Sequence, residues 1–149
     1  MSIRPVCLLA VGIFALSACV GDPESRSGGD AYRHQARPMA MDEWEVDDIG
    51  VGDGDRTDWR SVELAVPGRL SATVRVDESD TELRVGIYDR YGRALHLAQG
   101  VAEVRAAANV QSADKVFIMV QATGGPASAY NLRVTLGDGD ASTSPRPGF

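Results

Sequence analysis

The chain is predicted to be all-β, a jelly-roll-like sandwich of about 7–8 strands. Apolar and polar residues alternate at period two through most of residues 42–137, and Gly, Pro and Asp turn signals interrupt that alternation at short intervals. The third observation is the lack of a long stretch with the 3.6-residue period of an amphipathic helix.

Taken in order, Val62, Leu64 and Val66 alternate up to the turn Pro67-Gly68. Leu70, Ala72, Val74 and Val76 then alternate against Arg69, Ser71, Thr73 and Arg75, before the acidic loop Asp77-Glu78-Ser79-Asp80. Leu83, Val85 and Ile87 lead to the turn Asp89-Arg90-Tyr91-Gly92. Ala94–Ala98 and Val101–Arg105 read as two short strands separated at Gly100, with Val101–Asn109 the one place where a helix is an alternative. Lys115–Ala122 is apolar almost throughout, as expected of a central strand covered on both faces. After Gly124-Gly125-Pro126, the residues Tyr130, Leu132, Val134 and Leu136 alternate to the end of the domain.

The first residues carry a different message. Arg4 is followed by the apolar run Val6–Leu16, too short to span a bilayer, and then by Leu16-Ser17-Ala18-Cys19. That pattern resembles a bacterial lipobox, which implies cleavage before Cys19, acylation of Cys19 and anchoring to a membrane without spanning it. Val20, rather than Asp, after the cysteine favours the outer membrane. The expected organisation is a signal peptide over 1–18, a lipidated flexible tether over 19–41 rich in Gly, Ser, Pro and charge, the sandwich over 42–137, and a disordered tail over 138–149. Cys7 falls in the signal, so the folded part has no disulfide and no thiolate ligand.

The 149 residues carry a net charge of −6, and removal of residues 1–18 takes away one Arg and no acid, leaving −7. This argues against nucleic acid and against anionic lipid headgroups as partners. Lys115 is the sole lysine among fifteen basic residues, which reads as codon bias in favour of Arg.

Asp55-Arg56-Thr57-Asp58-Trp59, followed by Val62-Glu63-Leu64 and Pro67-Gly68, resembles the opening of a bacterial pre-peptidase C-terminal domain. Leu83-Arg84-Val85-Gly86-Ile87-Tyr88-Asp89 with Gly92 is similar to that family's hairpin. Val116–Val120 with Tyr130-Asn131-Leu132-Arg133-Val134 is similar to its closing strand pair. Two departures stand out: Arg60 occupies a position more often aromatic, and the usual Gly-x-Tyr-Tyr before the last strands is absent. The resemblance implies a non-catalytic sandwich, of a kind in which some relatives bind polysaccharide or fibrous protein and some bind calcium.

Candidate sites are few. Asp47, Asp48, Asp53, Asp55 and Asp58 lie in a Gly-rich stretch that can fold sharply around an ion, and calcium prefers such hard oxygen ligands. The alternative is that these acids make solvated turns. Trp44 and Tyr91 are the candidate exposed rings for ligand binding, and Trp59 is expected in the core or at its edge. Catalysis is not expected: His34 and His96 have no nucleophile elbow beside them, and His96 reads as an outward-facing strand residue. The expected function is a lipid-anchored, non-enzymatic module that binds an envelope protein partner. The alternatives are a calcium-stabilised carbohydrate- or matrix-binding module and a purely structural lipoprotein of an envelope complex.

Overall fold

The computed structural model describes residues 22–137. Cys7, Cys19, the signal segment and the tail over 138–149 lie outside the described residues. After a single 3-10 turn at Arg33–Gln35 come nine strands: β1 (Arg37–Pro38), β2 (Trp44–Ile49), β3 (Thr57–Glu63), β4 (Gly68–Val76), β5 (Glu82–Tyr88), β6 (Ala94–Val101), β7 (Glu103–Val110), β8 (Lys115–Gly124) and β9 (Ser128–Gly137).

They form two sheets, ordered β1-β3-β8-β5-β6 and β2-β9-β4-β7, in which every pair but the short parallel β1–β3 is antiparallel. The period-two pattern explains the packing. Leu83, Val85, Ile87, Val116, Ile118 and Val120 face inward from the first sheet. Leu70, Ala72, Val74, Ala106, Leu132 and Val134 face them from the second, and all are buried. Dense burial of this kind contributes about 25 cal/mol per Å² of apolar surface, and it must stabilise the fold without a disulfide.

Two expectations are corrected and one alternative is excluded. The helix alternative for Val101–Asn109 falls to strand: Val104, Ala106, Ala108 and Val110 are buried on one face of β7, paired along β4 from Gly68 to Arg75. Gly100 lies within β6 and does not divide two strands; the chain reverses at Ala102, which takes a φ of 61°. Residues 22–41, the described part of the expected tether, are folded onto the sandwich instead of hanging free. Asp30 and Ala31 are buried, the Asp30 carbonyl accepts a hydrogen bond from the Trp59 amide at 2.9 Å, and β1 pairs with β3 at Arg37–Arg60 and Pro38–Ser61. Composition pointed to a tether because the segment lacks apolar period. Its attachment combines backbone hydrogen bonds and charge with Ala31, Met39 and Met41 packed on the core.

This strap closes the side of the sandwich where β3 and β2, near the edges of their sheets, face one another. The core is not apolar there.

Candidate functional site

Alternation along β3 places Asp58, Arg60 and Val62 on the inward face, and alternation along β2 does the same for Glu45, Asp47 and Ile49. Arg60 is therefore driven into the seam between the sheets, where its side chain is 1% exposed. Its guanidinium donates through Nε to Glu45 Oε1 at 2.6 Å, through Nη1 to Asp30 Oδ2 and through Nη2 to Asp47 Oδ2. It also reaches the Trp59 carbonyl at 3.2 Å and the Tyr130 hydroxyl at 3.4 Å. Arg37, half-exposed at the lip, donates through Nε to Asp30 Oδ2 at 2.7 Å and through Nη2 to Asp47. The planar, multidentate fork of arginine suits this role, whereas a lysine ammonium would reach fewer of these acceptors at once.

Behind Arg60, the Tyr130 hydroxyl donates to Asp58 Oδ2 at 2.6 Å. Asp30, Asp47 and Asp58 present carboxylate oxygens within 4.8 Å of one another. Asp55 stands beside them at the mouth of the loop Gly50–Asp55. Below that loop, Glu24 Oε2 accepts the amides of Arg56 and Thr57 at 3.1 and 3.0 Å.

The acids outnumber the two arginines, and their protonation shows it. Burial pushes the Asp58 carboxyl up to about 8; the Tyr130 hydrogen bond opposes that rise and the charges of Asp30 and Asp55 add to it. Burial, with the charges of Asp47, Asp30 and Glu24, pushes Asp55 up to about 6. Burial and the Asp58 charge raise the Tyr130 hydroxyl, which stays protonated. Burial works against the Arg60 charge, but Tyr130, Glu45 and Asp58 outweigh it and raise its pKa.

Two carboxylate oxygens, Asp30 Oδ1 and Asp55 Oδ1, are buried without a hydrogen-bond partner among the described residues. Such atoms are costly to leave unpaired. Excess negative charge, hard oxygens and unpaired acceptors together fit a hard divalent cation such as calcium better than zinc. Of the five aspartates singled out from the sequence, the structure brings Asp47 and Asp58 into this cluster and Asp55 to its side. It leaves Asp48 and Asp53 exposed on the outside. The residues that sequence reasoning passed over are Asp30, Arg37, Glu45 and Tyr130, together with Arg60, noted only as a departure. The available clue was that Asp58 and Arg60 share the core-facing phase of Val62.

The outer face of the first sheet is the second notable surface. Trp59, paired with Met119, and Tyr88, paired with Phe117, stand outward, so the expectation of Trp59 in the core is corrected. The Trp59 and Tyr88 rings meet at 5.0 Å between centroids with a 53° tilt, and Leu97 beside them on β6 is 50% exposed. Gly86 lies beneath: a Cβ there would come within 2.5 Å of the Tyr88 ring and 2.8 Å of Leu97. Tyr91 is 74% exposed in its turn, under the Arg90 guanidinium at 4.7 Å. Trp44 is 43% exposed at the start of β2. Trp44 and Tyr91 lie on separate elements, β2 and the β5–β6 turn, so they do not form one platform.

Two sheets packed face to face, closed on one side by a polar seam, make this chain a β-sandwich. No family model and no curated protein matches it. Among solved structures, the pre-peptidase C-terminal domain of a collagenase from Bacillus anthracis superposes with a TM-score of 0.57 at 16% identity, over 67% of this chain and 94% of that one. A periplasmic inhibitor of g-type lysozyme from Aeromonas hydrophila aligns with a TM-score of 0.46 at 12% identity, over 68% of this chain and 96% of that one. A family 6 carbohydrate-binding module aligns with a TM-score of 0.36 at 14% identity, over 68% and 98%. The likeness is one of fold.

Proposed function

We propose that this protein is a non-enzymatic binding module of the bacterial cell envelope, anchored at the outer membrane by acyl chains on Cys19. In this reading it engages an envelope protein through the outer face of its first sheet. The observation that carries this is the patch in which exposed Leu97 adjoins the half-buried rings of Trp59 and Tyr88, with Phe117 beside them under the Arg33 guanidinium. Anchoring raises the local concentration of the module at its partner, so a modest interface suffices. His34 stacks on Tyr32 at 5.8 Å and His96 sits exposed on β6, positions that favour binding over catalysis. Among the described residues no helix is long and apolar enough to cross a membrane.

The test is photo-crosslinking in cells from position 97, with Cys19→Ala in parallel. A single protein adduct at the envelope, released to the soluble fraction by Cys19→Ala, is expected. Absence of any adduct from position 97 and from position 59 refutes the partner-face reading.

A second reading, calcium stabilisation, is favoured by the unpaired oxygens of Asp30 and Asp55. Asp30, Asp47 and Asp58 would hold the ion with Asp55 beside them, and its charge would offset the excess acid. Millimolar calcium is expected to raise the melting temperature above that in EDTA, and Asp55→Asn to abolish the difference. Equal melting in calcium and EDTA rules the ion out.

A further inference from the structure

We infer that the outer face of the β2-β9-β4-β7 sheet binds a linear anionic polysaccharide, one bearing carboxylate or sulfate groups along its chain. This adds a second face to the binding module proposed above, and rests on that reading only in taking the sandwich as a ligand-binding device.

The cross-strand register writes the surface out. Trp44 lies opposite Arg133, Arg133 opposite Thr73, and Thr73 opposite Arg105, in one row across four strands. Neighbouring strands are about 4.8 Å apart, which sets Arg133 and Arg105 roughly 10 Å from each other across Thr73. The adjacent row is Val46, Asn131, Arg75 and Glu103, and on the other side lie Thr135, Ser71 and Ala107, then Arg69 and Asn109.

Four arginines thus share this face with Glu103, and with Asp48 and Asp77 at its far end, in a chain whose net charge is −6. Glu103 is taken by Arg75 at 2.7 Å, and among the described residues Arg69, Arg105 and Arg133 have no carboxylate partner. Like charges gathered on one sheet face destabilise it, so the fold itself gains nothing from them. Two further details point outward. Arg133 Nε is buried with no acceptor among the described residues, and Arg105 Nε is steadied along the face by Ser71 Oγ at 2.7 Å. The exposed indole of Trp44 is held at the rim by the guanidiniums of Arg75 and Arg133, 5.2 and 5.9 Å from its centre.

The chemistry that answers this surface is a flat, repeating anion. Guanidiniums bind carboxylate or sulfate in forked pairs. The hydroxyls and amide of Thr73, Thr135 and Asn131 between them suit the hydroxyls of sugar units, and the Trp44 ring holds Arg75 and Arg133 in place at the rim. Asp48 and Asp77 lie exposed at one end of the same face, so the arginine rows at the other end are the part that would meet the anionic groups.

The experiment is retention of the full-length protein on immobilised alginate, heparin, dextran and polyglutamate. Retention on alginate or heparin at about 50 mM salt, lost by about 0.5 M, is expected; tighter binding to alginate assigns carboxylate, and tighter binding to heparin assigns sulfate. Arg105→Gln, on an exposed side chain, is expected to weaken binding about threefold, and Arg105→Gln with Arg133→Gln roughly tenfold. Equal retention on dextran, binding to polyglutamate as tight as to either polysaccharide, or full binding by an Arg105→Gln protein with unchanged melting temperature overturns the inference. A position-97 adduct that survives Arg105→Gln separates the two faces, so failure of either reading leaves the other measurable.

Discussion

Replacing Arg60 by methionine keeps most of the side-chain volume and removes one charge from the centre of the seam. Asp30, Glu45 and Asp47 each lose a donor, and Asp30 is fully buried. Deleting one member of a buried ion pair costs about 3–5 kcal/mol, because the remaining charge stays desolvated and unpaired. For a folded unit spanning 22–137, an unfolding entropy of about 2.1 cal/mol/K per residue converts this to a fall in melting temperature of roughly 12–20 °C. Differential scanning calorimetry at pH 7 is the assay. Arg60→Lys, which keeps charge but loses the fork, is expected to fall between wild type and Arg60→Met. A loss below about 1 kcal/mol at pH 7 would refute the seam as a stabilising device, and a loss as large for Arg60→Lys would refute the role of the guanidinium fork.

The raised Asp58 and Asp55 values make the domain sensitive to base. Their folded values, about 8 and about 6, lie above those of the unfolded chain, so the folded state holds protons that the unfolded state has released. Their contribution is fully present below about pH 4 and is lost as pH rises through 6 and then 8. In EDTA the melting temperature is therefore expected to fall from pH 5 to pH 9, and Asp58→Asn to flatten that slope and exceed wild type at pH 9; an unchanged slope would contradict the assignment. Gly125, at a φ of 78° and pressed on Asp80 and Thr81, is expected to lose about 1–3 kcal/mol on change to alanine, measured by urea denaturation.

Much of the fold was legible because strands with one buried face announce themselves. Leu70, Ala72 and Val74 alternate without exception, and the turns at Pro67-Gly68 and Asp89–Gly92 fall between strands as their residues require. β7 was ambiguous because Ala106, Ala107 and Ala108 suit helix by propensity, and only pairing with β4 decides for strand. The candidate site was half legible. Asp47 and Asp58 stand in an evident acidic stretch, but their partner Asp30 is 17 residues upstream of Asp47, in a segment whose composition resembles a linker. Nothing local ties Asp30 to Arg60; that contact exists only once both sheets and the strap have assembled.

The strap also decides how the domain bears mechanical load. Tension applied at Asp22 would reach the Glu24 and Arg26 contacts first and the Asp30 clamp next. Those contacts and the ion-paired seam would yield in turn, with the hydrogen-bonded ladders of the sheets behind them. Resistance to pulling is governed by the barrier to rupture more than by equilibrium stability. Salt at the half-exposed Arg37 lip would tune that barrier while the sandwich stays intact, so the strap could detach under load and reseat on release.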